Sequence, residues 1–217
     1  MPSIDLGSVD SIEIGGALVL AWFVVRFSGP AGPAACPIVF SAHGLDHFRV
    51  VVRASLDGGP SVRAPAPPAL DWPGVLRETP AFLRSELEPV TRGAEPPLAV
   101  LRTPERWARA GRRREAVRLS AGGLLAVTPR GLLWAASEAR TRPDGLSFGV
   151  NITAVRSDRV AGASVSSRAV QGTVLPVLRV HAGDNPAGTE VEVPFDEGDL
   201  ASAESIARLV SSWRGGR

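Results

Sequence analysis

The chain has 217 residues, 44% of them hydrophobic, enough to build a core in one large domain or two small ones. Cys36 is the single cysteine, which excludes an intramolecular disulfide and a zinc site made of cysteines; the absence of lysine excludes Schiff-base chemistry and a Walker-type phosphate loop. The formal charge is only +2, and because every basic side chain is arginine, the sequence pI of about 9.8 reflects a scarcity of groups titrating above neutrality, not a strongly basic chain.

Charge is unevenly distributed. Residues 1–91 hold six arginines and nine acids, residues 92–142 eleven and four, and residues 143–217 seven and nine. A basic middle therefore lies between two mildly acidic ends. The 23 glycines and 19 prolines fall mostly in short clusters between apolar runs, which favours many short strands. The absence of lysine along the whole chain reads as GC-rich coding and not as function. Ala17 to Val25 is apolar but far too short to span a bilayer, and it lacks a basic leader. A cytoplasmic location is expected, with peripheral attachment to a membrane as the variant.

In chain order, Ile12 and Ile14 alternate with Glu13, and Ala17–Phe27 continues as strand. Pro37–Ala42 and Phe48–Ala54 read as a second hairpin around His43 to His47. Residues 60–70, rich in Pro and Ala, read as a linker or an extended edge. Asp71 should cap a short helix reaching Arg77. Thr79 and Pro80 should open a second, with Phe82, Leu83 and Leu87 as its apolar stripe, and Thr103-Pro104-Glu105 a third that ends near Gly111. From Glu115 the pattern returns to strands. Leu124–Val127 and Leu132–Ala136 flank Thr128-Pro129-Arg130-Gly131, whose second-place proline and fourth-place glycine suit a type I turn. Val150, Ile152 and Val155 mark another strand, as does Val177–His181. Val191, Val193 and Phe195 alternate with Glu190 and Glu192, one face wet and the other buried. Leu200, Ala203, Ile206, Val210 and Trp213 recur at helical spacing behind Asp199. The expected class is mainly β with a few helices, an α+β chain. It divides into a β-rich region over 1–70, a helical, basic connecting segment over 71–114 and a closing domain over 115–217.

Gly123, Leu124 and Thr128, followed by Leu132, Trp134 and Ser137, resemble the opening strand pair of bacterial PH-like and GRAM domains. Phe148 to Val155 is similar to the family's next strand, and Val193-Pro194-Phe195 with the helix to Trp213 to its closing strand and capping helix. The resemblance covers about half the chain, its C-terminal half. It implies a PH-like barrel capped by the C-terminal helix, and a binding module more than an enzyme. PH domains that read phosphoinositides gather cations in the first hairpin loop. The corresponding loop here, Ser120 to Gly123, carries no charge, which shifts the expectation toward protein binding.

Arg109, Arg112, Arg113 and Arg114 form the densest cationic group and are the expected contact for an acidic protein face, because a guanidinium pairs carboxylate or phosphate with two parallel hydrogen bonds. Anionic lipid is the alternative anion. Nucleic acid is disfavoured, since Trp107 alone is interleaved with these arginines. His43, Asp46 and His47 offer metal-ligating groups, but their spacing on a hairpin does not make them converge, and a polar turn is the simpler reading. Cys36 has no surrounding nucleophile signature. No catalytic residue, metal or cofactor is expected. The composite expectation is a non-enzymatic binding or scaffolding protein, an enzyme with a site in the N-terminal half being the remaining alternative.

Overall fold

The computed structural model describes residues 8–17, 20–29, 32–62, 70–110, 115–137, 149–183 and 189–213. Strands β1 (Val9–Ala17), β2 (Leu20–Gly29) and β3 (Gly32–Ser41) form an antiparallel meander. Helices α1 (Leu45–Asp57), α2 (Trp72–Arg77) and α3 (Ala81–Thr91) follow. Then come β4 (Ala99–Thr103), β5 (Arg106–Ala110), β6 (Glu115–Ser120), β7 (Gly123–Thr128), β8 (Gly131–Ser137) and β9 (Gly149–Arg156). Strands β10 (Val160–Val170), β11 (Thr173–Ala182) and β12 (Thr189–Pro194) precede the last helix, α4 (Leu200–Ser212).

Seven strands make one sheet in the order β3-β2-β1-β9-β8-β7-β4, three more the sheet β10-β11-β12, and β5 pairs with β6 alone. The chain is thus mainly β with four helices among its described residues, as the composition predicts. The expected barrel is not formed: both larger sheets are open, and the row of seven ends at β3 on one side and β4 on the other. Nor is the large sheet confined to the C-terminal half. Ile14 of β1 pairs with Ile152 of β9, so strands from both ends of the chain share its centre.

Each face of that sheet carries its own core. On one side Ile12, Ile14, Phe23, Leu124, Leu133 and Ile152 pack against Val52 and Leu56 of α1, Val75 of α2 and Leu87 of α3. On the other, Leu125, Leu132 and Trp134 pack against Leu178, Val180 and Val193 of the small sheet and against Ile206, Val210 and Trp213 of α4. Strands β7 and β8 are buried at every position, which explains their unbroken apolar runs: a strand covered on both faces has no wet side to encode.

The turn between β7 and β8 lies at Pro129 and Arg130, where the sequence places it. The Thr128 hydroxyl donates to the Gly131 carbonyl and accepts from the Arg130 backbone N–H. Gly131 is required by space as well as by turn chemistry: a Cβ there would stand 2.2 Å from the Val155 carbonyl oxygen, with φ at +155°. Arg130 reaches from this turn to the end of α1, donating to the carbonyls of Asp57 and Gly59 at 2.8 and 2.9 Å, and it also pairs with Glu95. Helix α1 is tied in turn to α3 through Arg49, which pairs with Glu86 and with Asp46. Burial pulls the Arg49 pKa down, but the hydrogen bonds and charges of Glu86 and Asp46 outweigh it and leave it raised.

Two elements differ from the sequence expectation. Residues 48–54 are helix, not strand. The run of three valines reads as β by propensity, yet Phe48, Val52 and Leu56 recur every four residues and form the face turned to the core. The third expected helix, opening at Thr103-Pro104-Glu105, is instead strand β5, because Arg106–Ala110 pairs along β6. Strand β10 had no counterpart among the expected elements; its Ala, Gly and Ser residues give little periodic signal. Asp71 caps α2 as expected, accepting from the Gly74 N–H at 2.6 Å. Thr79 does not cap α3, since its hydroxyl donates to the Val75 carbonyl. Asp199 stands at the start of α4 without a capping hydrogen bond, and Leu200 is exposed, whereas Ala203, Ile206, Val210 and Trp213 are buried.

Two substitutions test this architecture. Trp213 is 4% exposed, and Trp213→Ala should lower the unfolding free energy by ~3–5 kcal/mol, read from denaturant midpoints. Gly131→Ala should cost ~1–3 kcal/mol in the same measurement, because the new methyl has no room beside β9.

Candidate functional site

The cationic segment singled out by the sequence begins on β5. Arg109 lies opposite Ala116 of β6, so it stands on a strand pair and not at a helix end. Its side chain and the whole of Arg112, Arg113 and Arg114 lie outside the described residues. Their neighbours are already neutralised within the chain. Arg102 pairs with Glu78 at 2.8 Å, Arg106 with Asp196 at 3.2 Å, and Arg118 with Glu105 at 3.0 Å. Arg118 also donates to the Ser137 carbonyl at 3.1 Å and to the Ser137 hydroxyl. The middle of the chain is therefore less cationic in space than its formula suggests.

Arg118 ties β6 to the end of β8 through Ser137, Arg106 ties β5 to the segment after β12, and Arg102 ties β4 to the end of α2. Ser120 to Gly123, expected as the first hairpin loop of a PH-like domain, instead links the β5–β6 arm to β7. Gly123 admits no side chain: a Cβ would meet the Trp134 ring at 2.4 Å and the Ala135 carbonyl oxygen at 2.5 Å. A cleft of about 480 Å³ opens beside this link, lined by Phe82, Leu83, Arg102, Pro104, Glu105 and Asp196 among others. Its charges are matched pairwise, which suits a packing groove better than an ion site.

The opposite end of the large sheet is different. Among the described residues strand β3 has no neighbour on its outer side, and it is exposed along most of its length. On the face turned away from the helices, Trp22 of β2 lies directly opposite Val39 of β3, with Leu20 and Val24 on the same row. Val39 is 70% exposed and Leu20 58%. The Trp22 indole rests on Gly15, where any Cβ would lie 2.4 Å from the ring. Beside this apolar row, Arg26 pairs with Glu13 at 2.6 Å, and the Asn151 amide donates to Glu13 at 2.9 Å. The result is an apolar strip with a fixed polar margin.

The sheet-end aromatics divide between the two faces. Phe23 is buried on the helical side, where its ring lies 4.7 Å from that of Phe48, itself 4.2 Å from Phe40. These three pack as core. Trp22 is half-buried on the other face.

The N-terminal polar candidates take separate roles. His43 sits in a short 3-10 turn, 3.0 Å from the Ser41 hydroxyl. Asp46 is engaged with Arg49 at 2.6 Å, and His47 lies on α1, so the expected polar hairpin is a helix start. No group of three or more His, Cys, Asp or Glu side chains among the described residues could hold a metal ion. Cys36 lies on β3 opposite Val25 and is half-buried, not fully buried. His181 belongs to the wet face of β11, 3.3 Å from Glu190. No described helix is long and apolar enough to cross a membrane.

No protein-family model, curated protein or solved structure matches this chain.

The exposed sheet end could have been anticipated only in part. Leu20, Trp22, Val24, Ile38 and Val39 are ordinary strand residues, and nothing local distinguishes an edge strand from a central one. The prolines are the one local clue. Pro33 and Pro37 contribute no N–H to a ladder, and such residues are confined to edges and bulges.

Arg118 and Glu105 are both largely buried, their side chains 13% and 16% exposed. Arg118→Met should therefore destabilise the fold, by ~1–3 kcal/mol, by removing its buried pairing with Glu105 and its hydrogen bonds to Ser137; chemical denaturation reads it.

Proposed function

We propose that this protein is a non-enzymatic binding module that docks another protein on the open end of its seven-stranded sheet. The observation that carries the reading is the row of Leu20, Trp22 and Val39 on the unpaired side of the sheet, with Val39 70% exposed. Apolar groups gathered in this way on a sheet edge are costly to leave in water and mark contact surfaces. The adjoining Glu13–Arg26–Asn151 group supplies the polar rim that protein interfaces have. Pro33 and Pro37 interrupt the donors of β3, so the partner docks on the side-chain face and does not extend the sheet.

The C-terminal part of this module is read as PH-like. In its favour are the meander β7–β8–β9, the second meander β10–β11–β12 packed across it, and α4, whose Ile206, Val210 and Trp213 enter the core between them. Scaffolding needs two separate contacts. The second is assigned to Arg109, Arg112, Arg113 and Arg114 facing an acidic protein surface, since Arg102, Arg106 and Arg118 are engaged within the chain. The arm that starts at Arg106 leaves the sheet beside β4, at the end away from β3, so the two contacts would not compete.

A photo-reactive phenylalanine in place of Val39, introduced in the native host, should give one dominant covalent adduct with a partner protein. The same group in place of Val174, which is 64% exposed on the small sheet, should not. Leu20→Asp should abolish the adduct while leaving the melting temperature within a few degrees. Charge reversal at Arg112, Arg113 and Arg114 should weaken binding of the same partner, and less so as salt rises. Equal adducts at the two positions, or none at Val39, would remove the sheet end from the interface.

A further inference from the structure

The helical layer holds a cleft of about 550 Å³ between α2, α3 and the turn that follows α3. Its walls include Trp72, Leu76, Arg77, Arg84, Glu88 and Arg92. Most of the arginines whose side chains are described are paired with a carboxylate of the same chain. Among those whose side chains are described, only Arg77, Arg84, Arg92 and Arg208 lie beyond ion-pair distance of a carboxylate. Three of those four line this one cleft. Against the pairing of the other described arginines, these three stand together in a concavity.

The lining carries three arginines against two acids, Asp71 and Glu88, an excess of one positive charge, and Asp71 is held by the Gly74 N–H as the cap of α2. The remaining wall is apolar and rigid. Trp72 is 7% exposed and fixed by its indole N–H, which donates to the Glu95 carbonyl at 2.8 Å. Pro73, Ala94 and Pro96 complete that side. Gly93, at φ +73°, turns the chain between Arg92 and Ala94, two residues of the lining.

We infer that this cleft binds a small organic anion, a phosphate or carboxylate head carried on a flat apolar body. The volume falls within the range of small-molecule sites, roughly 300–1,000 Å³, and is too confined for an extended polymer surface. Guanidinium groups take either head through paired hydrogen bonds, and the proline, alanine and tryptophan side receives the body. Arg84 is the central residue of the site, because it is half-buried and yet has no carboxylate of its own. The cleft lies in the helical layer, so it is separate from the sheet end and does not depend on that reading.

Calorimetric titration of the full chain at low salt, with phenyl phosphate, benzoate and inorganic phosphate as probes, tests the inference. Phenyl phosphate or benzoate should bind saturably, and whichever binds tighter identifies the head group. Arg84→Gln should weaken that binding about tenfold or more, as loss of a charge-assisted contact does. Arg77→Gln and Arg92→Gln, at exposed positions, should each weaken it too, and they carry the test if Arg84→Gln fails to fold. Arg208→Gln, an arginine outside the cleft and likewise without a carboxylate partner, should leave binding unchanged. Three results would overturn the inference. These are no saturable binding of either organic probe up to about 10 mM, equal losses in the Arg208 and Arg84 variants, and inorganic phosphate binding as tightly as phenyl phosphate. Binding to anionic vesicles with none to the soluble probes would assign the arginines to a membrane surface instead, and would equally overturn it.

Discussion

Burial of the β7–β8 hairpin on both faces is the constraint on which the rest of this structure depends. A strand pair with no wet face must be covered twice, and each covering layer must bring its own apolar surface. Helices α1, α2 and α3 supply one, and the small sheet with α4 the other. The two cores meet only through the alternation of side chains along the strands: Leu124 and Leu133 point into one, Leu125 and Trp134 into the other. A slip of one residue in either strand would exchange the two sets, so register here is fixed by packing from both sides at once. Gly123 and Gly131 bracket the hairpin because its ends are as crowded as its middle.

Covering the hairpin leaves the sheet unequal along its length. The centre, around β8 and β9, is enclosed, while β2 and β3 extend beyond it. That extension is where apolar side chains reach solvent, and the prolines of β3 blunt the edge against indiscriminate strand pairing. The same inequality explains the ties that hold the layers together. Arg130 joins the hairpin turn to the end of α1 and to Glu95. On the other side of the sheet, Arg159 reaches the fully buried Asp10 at 2.5 Å, and the Ser28 hydroxyl donates to the same carboxylate. Asp10 is only 1% exposed, and a carboxylate at that depth is tolerable because it has both a cation and a hydrogen-bond donor.

Charge shows most clearly how sequence and structure differ in what they reveal. Read along the chain, residues 92–142 form a basic block. In space, Arg102, Arg106, Arg118 and Arg130 from that block each meet a carboxylate, and the acids come from as far apart as Glu78 and Asp196. The cations left over are not the densest ones in sequence. Arg84 and Arg92 stand eight residues apart along α3 and its cap, on one side of the helix, and Arg77 joins them because α2 folds against α3.

The sequence by itself determined those features that a few adjacent residues encode. The β7–β8 hairpin was legible because Pro129 and Gly131 prescribe a turn between two apolar runs. Helix α2 was legible in the Asp71 cap, α4 in its helical stripe, and the buried face of β12 in the alternation of Val191 and Val193 with Glu190 and Glu192. It misled where propensity and period disagreed, as in the valines of α1, and where a proline that separates two strands resembled a helix start, as at Pro104. Tertiary structure alone decided that β1 lies beside β9, that the sheets stay open, that β3 is an edge, and which arginines find carboxylates. These outcomes rest on contacts between residues far apart in the chain, such as Asn151 with Glu13, and their free energy comes from burial and pairing that no local segment possesses until the whole sheet has formed.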